Sequence, residues 1–253
     1  MNQNKILENF KVSFSNSFKL HNNLILPNEL FDKLEKNELL LTQHENNFFI
    51  YTKQNALTFF INNDSKNFNL PSCVCKISAR KEEDFAKFDN FLNQNHFKTA
   101  DALFLMYNQK PIQNPLDDKD IVYTKGENLA KDIHEFLSYF FGDTWMIYIS
   151  QNDIKEKIAK NEILLDVYGG KISGVLIFSK NLGQIVIDYI ATKKEYRKNG
   201  AFLLMSKLFS DTSNLAKKIF VSYKNEHAIK FYERLGFEKL TSSPRIIKFY
   251  KNY

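Results

Sequence analysis

Four cationic side chains surround a single glycine at the point where an apolar run gives way to a helical pattern. The run is "QIVIDYIAT" (Gln184–Thr192), and "YRKNGAFLL" (Tyr196–Leu204) follows shortly after it. A helix start exposes unpaired backbone N–H groups and carries about half a positive charge, so it can bind phosphate. Gly200 would let a bulky anion approach the backbone. The cations that would add charge are Lys193, Lys194, Arg197 and Lys198.

The same stretch excludes two common nucleotide sites. A P-loop requires a Lys-Ser/Thr pair after its last glycine, and a dinucleotide fingerprint requires three glycines. The stretch has neither. The pattern therefore favours a phosphate-bearing small molecule that is held in another way.

A second patterned helix lies downstream, in "NEHAIKFYERLGF" (Asn225–Phe237). Asn225 is a typical N-cap, and Gly236 followed by Phe237 is typical of a helix that ends in a Schellman motif. The apolar residues recur at helical spacing, which predicts one buried face. That face consists of Ala228, Phe231, Tyr232 and Leu235.

The strands that must position these helices are predicted from three apolar runs separated by short, glycine-bearing breaks. Such breaks favour hairpin turns, so we expect an antiparallel meander over Ile163–Tyr168, Ile172–Ser179 and Gln184–Thr192. A helix and then a strand at Lys218–Tyr223 follow. A strand, a crossover helix and a strand predict a parallel pair.

Further elements flank this core. An amphipathic helix is predicted over Glu127–Gly142, with Gly142 as its end, and a shorter helix over Ser150–Glu162. Arg245–Tyr250 is predicted to be a closing strand of the same domain.

Together the two motifs resemble the GNAT superfamily of acyl-CoA-dependent N-acetyltransferases. The family signature, Arg/Gln-x-x-Gly-x-Gly/Ala, opens a helix after the fourth strand. Arg197 and Gly200 match it, whereas Phe202 stands at its small sixth position. The second motif, Asn-x-x-Ala-x-x-Phe-Tyr-x-x-x-Gly-Phe, is matched by Asn225, Ala228, Phe231, Tyr232, Gly236 and Phe237. The resemblance covers about residues 119–253 and implies a GNAT fold there.

The resemblance implies acetyl-CoA as co-substrate, with its diphosphate at the signature. Arg197 and Lys198 would meet phosphate oxygens, and a solvated basic loop is the alternative for both. The remaining residues of the implied phosphate loop are Asn199, Gly200, Ala201 and Phe202.

The pantetheine arm would pair with the preceding strand like an added strand. Ile190, Ala191 and Thr192 would serve through their backbone groups. Asn225 would hydrogen-bond the same arm, and it can cap its helix at the same time.

Two side chains are the candidates for proton transfer. The resemblance implies that Tyr232 protonates the leaving thiolate, although a tyrosine on an apolar helix face can equally be a core residue. Asp188 is the acid of the fourth strand and is interpreted as the base, or as the binder of a cationic substrate. Asp166, in a neighbouring strand, is the second choice for that role.

Glycine and charge divide the chain of 253 residues. All 8 glycines lie at or after Gly126, and the net charge is −1 for residues 1–118 but +7 for residues 119–253. We therefore expect an N-terminal α/β domain at 1–108, a linker at 109–118 and a GNAT domain at 119–253.

Composition limits the partners and the compartment. The cations are spread along the second half and no nucleic-acid motif occurs, so no nucleic acid is expected. The chain has no apolar run of the roughly 20 residues that a membrane helix needs and opens without a signal peptide, which predicts a cytoplasmic protein without a membrane partner. Cys73 and Cys75 are interpreted as reduced core residues, and no metal is expected.

The first half carries a faint internal repeat of the second. "EDFAKFDNFLNQNHFK" (Glu83–Lys98) aligns with Asn225–Lys239, and Leu92 falls where Tyr232 falls. Strands are predicted at "FKVSFS", "LLLTQ", "NFFIYT", "ALTFFIN", "CVCKIS" and "ALFLMY", and helices at "PNELFDKLEKN" and "EEDFAKFDNFLNQN". This half is either a degenerate GNAT-like domain or an unrelated α/β domain. Its candidate tasks are to wall the acceptor cleft, to select the substrate or to form a homodimer contact.

The sequence thus predicts an α/β protein with a mixed, mainly antiparallel sheet flanked by helices. The expected activity is transfer of an acetyl group from acetyl-CoA to a primary amine of a small molecule, such as an amino sugar, a polyamine or an amino acid. A protein N-acetyltransferase and a non-catalytic acyl-CoA-binding or scaffolding protein are the alternatives.

Overall fold

The computed structural model describes residues 3–16, 18–64, 66–112, 121–193, 195 and 199–252. Contacts within the chain group it into two units. The first unit comprises Met1–Ala102 and Arg245–Tyr253, and the second comprises Leu103–Pro244.

The helices and strands alternate irregularly along the chain. The earlier elements are α1 (Gln3–Ser15), β1 (Leu20–His21), α2 (Pro27–Glu35), β2 (Leu40–His44), β3 (Asn47–Tyr51), β4 (Ala56–Ile61), β5 (Val74–Ala79), a 3₁₀ helix (Glu82–Phe88), α3 (Asp89–Gln94) and β6 (Phe97–Asn108). The later elements are β7 (Ile121–Tyr123), α4 (Ala130–Met146), α5 (Gln151–Ala159), β8 (Ile163–Tyr168), β9 (Lys171–Asn181), β10 (Gln184–Thr192), α6 (Gly200–Asp211), β11 (Ala216–Ser222), α7 (Glu226–Arg234), β12 (Glu238–Lys239) and β13 (Ile246–Asn252).

One predicted strand of the first half, "FKVSFS", is helical instead and belongs to α1. Phe10 and Phe14 fit an alternating strand, but Ile6, Phe10 and Phe14 also recur every four residues. Ile6 and Phe10 are buried in α1. The segment is helical because the four-residue spacing places these side chains on one helix face, which can pack on a core.

The sheet of the first unit runs in the order β2–β3–β4–β5–β13. β2, β3 and β4 are antiparallel, β4 and β5 are parallel, and β13 pairs antiparallel with β5. The strand predicted to close the second domain therefore belongs to the first unit. The predicted boundary at 119–253 differs from the structure in this element, and residues 113–118 of the predicted linker lie outside the described residues.

A notch opens between β4 and β5 of the first unit, and the chain itself fills it. The parallel pairing covers only Ala56 and Leu57 on β4. Since β3 lies along the other edge of β4, β1 pairs with β4 on the edge that faces β5. The buried amide of Asn22 then donates to the carbonyls of Leu57 (3.1 Å) and Lys76 (3.2 Å) and accepts from the Phe59 N–H (2.7 Å). One side chain thus satisfies backbone groups on both strands.

The sheet of the second unit contains the predicted meander. β7, β8, β9 and β10 are antiparallel neighbours, and β11 pairs parallel with β10. β11 is also antiparallel to Leu103–Asn108 of β6. The predicted bounds of β8 and β10 are confirmed, and β9 is longer than predicted at both ends.

Helices cover both faces of this second sheet. α6 and α7 pack on one face, where Leu204 and Leu208 are buried with Ile187. α4 and α5 pack on the other, where Ile133 and Ile154 are buried with Ile177. The prediction of an α/β fold with a mixed, mainly antiparallel sheet is confirmed.

Three further observations concern the described part of the chain. None of its helices is long and apolar enough to span a membrane. No group of three or more His, Cys, Asp or Glu side chains there could hold a metal ion. Cys73 and Cys75 are both free and buried.

Candidate active site

A second notch opens between β10 and β11. Their parallel pairing runs from Gln184–Ala216 to Ile187–Ile219 and then stops, although β10 continues to Thr192 and β11 to Ser222. From Tyr189 to Thr192, β10 remains paired with β9 on its other edge. Among the described residues no strand pairs with β10 on the notch side after Ile187. Alternate N–H and C=O groups there are available to an extended ligand.

The notch begins at an irregularity in β10. The register between β9 and β10 shifts between Ile187 and Tyr189, so Asp188 is the extra residue of a β-bulge. Ile187 packs in the core under α6 and α7, whereas Tyr189 packs on the core under α4 and α5. Asp188 points to the α4/α5 face, because it bonds to Lys157 of α5.

Asp188 belongs to a polar cluster that the sequence did not reveal. Its Oδ2 accepts a hydrogen bond from Ser179 Oγ (2.7 Å) and lies 2.9 Å from Lys157 Nζ. Lys157 also donates to the Phe178 carbonyl (2.8 Å) and to Ser179 Oγ (2.7 Å), and it lies 3.4 Å from Glu162 Oε2. Oδ1 has no hydrogen-bond partner within the described ranges, and the Asp188 side chain is 26% exposed. Oδ2 is therefore held in place, while Oδ1 is free to accept a hydrogen bond or a proton.

The start of α6 lies directly against the sheet. A Cβ on Gly200 would come 3.3 Å from Thr192 Cγ2 and 3.4 Å from Asp166 Oδ2, and one on Gly174 would come 3.0 Å from Thr192 Cγ2. The glycine that was interpreted as a phosphate-approach residue thus also lies where the helix packs closely on the sheet. Asp166, the second-choice acid, lies beside this helix start and not at the β10 bulge that contains Asp188.

The first N–H groups of α6 remain free of side-chain caps. Asn199 occupies the N-cap position, but its side chain makes no capping hydrogen bond. Its carbonyl accepts from the Leu203 N–H (2.8 Å), which starts the helix. Such a terminus has unpaired donors for an anion. Arg197 and Lys198, the predicted phosphate partners, lie outside the described residues.

The other predicted cofactor residues occupy three places. Phe202 is partly buried and packs against the core under α6 and α7, as does Ile190. Ala201 is partly exposed in the first turn of α6. Ala191 and Thr192 are buried on β10 beside the notch. The large side chain at the sixth signature position is thus accommodated by core packing.

Tyr232 lies on α7 and is only 5% exposed. Its ring packs edge-on against Phe231 and Phe237, with centroids 5.2 and 5.6 Å away. Burial raises the pKa of its hydroxyl, so the group keeps its proton at neutral pH. The hydroxyl has no hydrogen-bond partner in the part of the chain that the structure describes. The side chain is therefore both a core residue and a protonated donor without a competing acceptor.

The caps predicted for this helix are confirmed. Asn225 Oδ1 accepts from the Ala228 N–H (3.0 Å). At the other end Gly236 has φ 82°, and the N–H groups of Gly236 and Phe237 bond to the carbonyls of Glu233 and Tyr232 in the Schellman pattern. Asn225 thus uses its oxygen as a cap.

Comparison with known proteins agrees with this geometry. Residues 127–237 match the acetyltransferase (GNAT) family model. No curated protein sequence matches the chain. Among solved structures, a GCN5-related N-acetyltransferase from Kribbella flavida is similar in fold, with a TM-score of 0.58 at 8% identity over 99% of this chain and 69% of its own.

Two further structures are similar over almost their whole length. A GNAT-family acetyltransferase from Colwellia psychrerythraea has a TM-score of 0.51 at 13% identity, covering 100% of this chain and 98% of its own. A tandem GNAT protein from the clavulanic acid biosynthesis pathway has a TM-score of 0.50 at 8% identity, covering 98% and 94%. At these identities the likeness concerns the fold. The family match and the fold together show that this chain carries, at residues 127–237, a domain of the acetyltransferase (GNAT) family.

Proposed function

We propose that this GNAT-type acetyltransferase uses acetyl-CoA to acetylate a primary amine of a small molecule. The observation that carries the proposal is the open notch between β10 and β11, which lies beside the uncapped start of α6. An extended arm that ends in a diphosphate fits both features, because a strand edge pairs with amides and a helix start binds phosphate.

Binding is assigned to the backbone more than to side chains. The diphosphate is held by the N–H groups at Asn199–Phe202, with charge from Arg197 and Lys198. The pantetheine arm pairs with Ile190–Thr192 along the notch edge. The Asn225 side-chain amide can donate to the arm, because its oxygen already serves as the cap.

Proton transfer is assigned to Asp188 and Tyr232. Acetyl-CoA supplies the acetyl group as a thioester. Asp188 accepts a proton from the acceptor ammonium at its free Oδ1, directly or through water, so that the amine can form the new N–C bond. The nitrogen loses a second proton to solvent as the C–S bond breaks, and Tyr232 gives its own proton to the leaving thiolate. Solvent later restores the proton of Tyr232 and takes the one held by Asp188. N–H groups of β10 at the bulge polarise the carbonyl oxygen.

The proposal is tested by calorimetric titration with acetyl-CoA and by release of free thiol over a panel of amines. We expect saturable binding and amine-dependent thiol release. Binding without thiol release from any amine or peptide N-terminus would favour the non-catalytic acyl-CoA-binding alternative. Release with peptides alone would favour a protein N-acetyltransferase. An absence of binding would refute the cofactor assignment.

A further inference from the structure

Three aromatic side chains lie together next to the bulge. Tyr189 follows Asp188 on β10, and both point to the α4/α5 face. The Tyr189 ring lies edge-on to Phe141 of α4, with centroids 5.2 Å apart. Phe141 in turn stacks on Trp145 at 5.6 Å and 29°. We call Phe141, Trp145 and Tyr189 the aromatic wall.

The geometry of the aromatic wall is fixed by two backbone features. Gly142 interrupts α4 with φ 60° and ψ −172°, immediately after Phe141. Beyond its chain neighbours and its own helix backbone, no atom of the described residues lies within 4 Å of where a Cβ on Gly142 would be. Glycine is therefore needed there for its backbone conformation and not for space. The Tyr189 hydroxyl donates to the Trp145 carbonyl (3.1 Å), which ties the last turn of α4 to β10. The rings are therefore held in place before any ligand binds.

The aromatic wall is not sealed in the core. Ile133 and Leu137 of the same helix are 0% exposed. Phe141, Trp145 and Tyr189, by contrast, each remain partly exposed. Rings that are fixed and still accessible can stack on a flat apolar group, and their faces attract a cation.

On the basis of the proposed function, we infer that the acceptor is an amine carried on an aromatic or similarly flat apolar body, and that the aromatic wall binds that body. The free Oδ1 of Asp188 takes the ammonium group, while the neighbouring rings take the rest of the molecule. Amino sugars and polyamines lack such a body. Stacking and burial of one ring are expected to improve affinity about 10-fold or more over an alkylamine without a ring.

The chain offers a direct probe of this inference, since Trp145 is its sole tryptophan. Its fluorescence is followed while the acetyl-CoA-loaded protein is titrated with 2-phenylethylamine, n-propylamine, spermidine or glucosamine. We expect a saturable change with 2-phenylethylamine at a concentration at least about 10-fold lower than with the other three. A 2-phenylethylamine response that is absent, or no tighter than the other responses, would overturn the inference.

Variants of the aromatic wall add a matched comparison. Phe141→Ala should weaken 2-phenylethylamine binding about 10-fold and alter n-propylamine binding much less, and Phe141→Leu, which retains apolar volume, should lie between. Tyr139→Ala is the control, because Tyr139 is 85% exposed on the same helix and lies outside the wall. Equal losses for both amines in Phe141→Ala would contradict the inference. Thermal unfolding identifies variants that have merely lost the fold.

This titration reports binding and not turnover, so its failure is distinct from that of the proposed function. Thiol release in the presence of spermidine or glucosamine, with no preference for 2-phenylethylamine, would support the acetyltransferase activity and refute the inference of an aromatic acceptor. Ring-selective quenching without thiol release would support the acceptor site and refute catalysis.

Discussion

The two units share a strand pattern but differ in what their notches contain. Antiparallel strands lead to a parallel neighbour in each, three in the first unit (β2–β4) and four in the second (β7–β10). The parallel pairing soon stops, after two residue pairs between β4 and β5 and after four between β10 and β11. In the first unit β1 and the Asn22 amide fill the gap. In the second, no described strand does so.

The split sheet of the first unit is completed from within the chain, whereas we propose that a ligand completes the sheet of the second. Backbone groups of separated strands need hydrogen-bond partners, and Asn22 supplies them permanently in the first unit. Among its described residues, the first unit also has no helix in the connection between its parallel strands β4 and β5. The second unit has α6 at that position. In the proposed function, the capacity to bind acetyl-CoA therefore depends on α6 and the open notch, and not on the strand pattern. The shared pattern favours the degenerate GNAT-like domain over an unrelated α/β domain for the first half, and that assignment stays a prediction.

The largest expected effect concerns α6, which has no counterpart among the described residues between β4 and β5 of the first unit. Gly200→Val should weaken acetyl-CoA binding about 1,000-fold, because the new side chain would collide with Thr192 and Asp166 and displace the helix start. Calorimetric titration measures the affinity. Gly200→Ala should lose less, and Thr192→Ser should recover part of that loss by removing the Cγ2 methyl group. Unchanged affinity in Gly200→Val would refute the placement of the diphosphate.

The next effect concerns Tyr232, whose counterpart in the repeat is Leu92. Tyr232→Phe should lower kcat about 100-fold and leave KM for acetyl-CoA nearly unchanged, because only the proton donor is lost. The melting temperature should hardly move, since the hydroxyl has no partner in the described part of the chain. Tyr139→Phe is the control. A kcat equal to that of the wild type would assign Tyr232 to the core alone.

A third variant addresses the filled notch. Asn22→Ala should lower the free energy of unfolding by about 2 kcal/mol, because the buried Leu57 carbonyl and the buried Phe59 N–H lose the hydrogen bonds that Asn22 supplies. Denaturant unfolding measures the loss, and acetyl-CoA affinity should not change. Asn23→Ala, which removes only hydrogen bonds to Ile25, is the matched control. An equal loss in both variants would argue against a special role of the notch.

The smallest effect concerns the bulge, which β10 has and β4 lacks. Lys157→Met should raise KM for the amine about tenfold, because Asp188 loses the ammonium group that fixes its Oδ2. The KM for acetyl-CoA should remain near the wild-type value, and Lys157→Arg should restore part of the amine affinity. Steady-state kinetics with both substrates separate these outcomes. A fall in kcat with no change in either KM would show that Lys157 does not act by holding Asp188 for the amine.

The sequence predicted the elements whose limits depend on residues that are close together in the chain. The bounds of β8 and β10 followed from apolar runs between glycine turns, and both caps of α7 followed from Asn225 and Gly236. Gly142 was predicted to end its helix. It does break the helical backbone, but one further turn continues to Met146.

What the sequence did not reveal depends on contacts between distant residues. Lys157, Ser179 and Asp188 come into contact only when α5, β9 and β10 pack together. Their spacing in the sequence does not predict this contact. The role of Asn22 depends on the gap between β4 and β5, which no pattern near Asn22 describes. The partner of β13 could not be predicted for the same reason, because strand periodicity does not specify which strand pairs with it.

The position of β13 has a consequence for synthesis of the protein. β13 covers an edge of β5, and the Asn252 side chain accepts from the Cys73 N–H (2.7 Å) and donates to the Pro71 carbonyl (3.0 Å). The ribosome makes these residues only after the whole second unit, which at about 5–20 residues per second takes roughly 7–30 s. Until then the nascent first unit exposes an unpaired strand edge, while the acetyltransferase domain already has all of its residues. Synthesis of the second unit is therefore complete before β13 can pair with β5 and complete the sheet of the first unit.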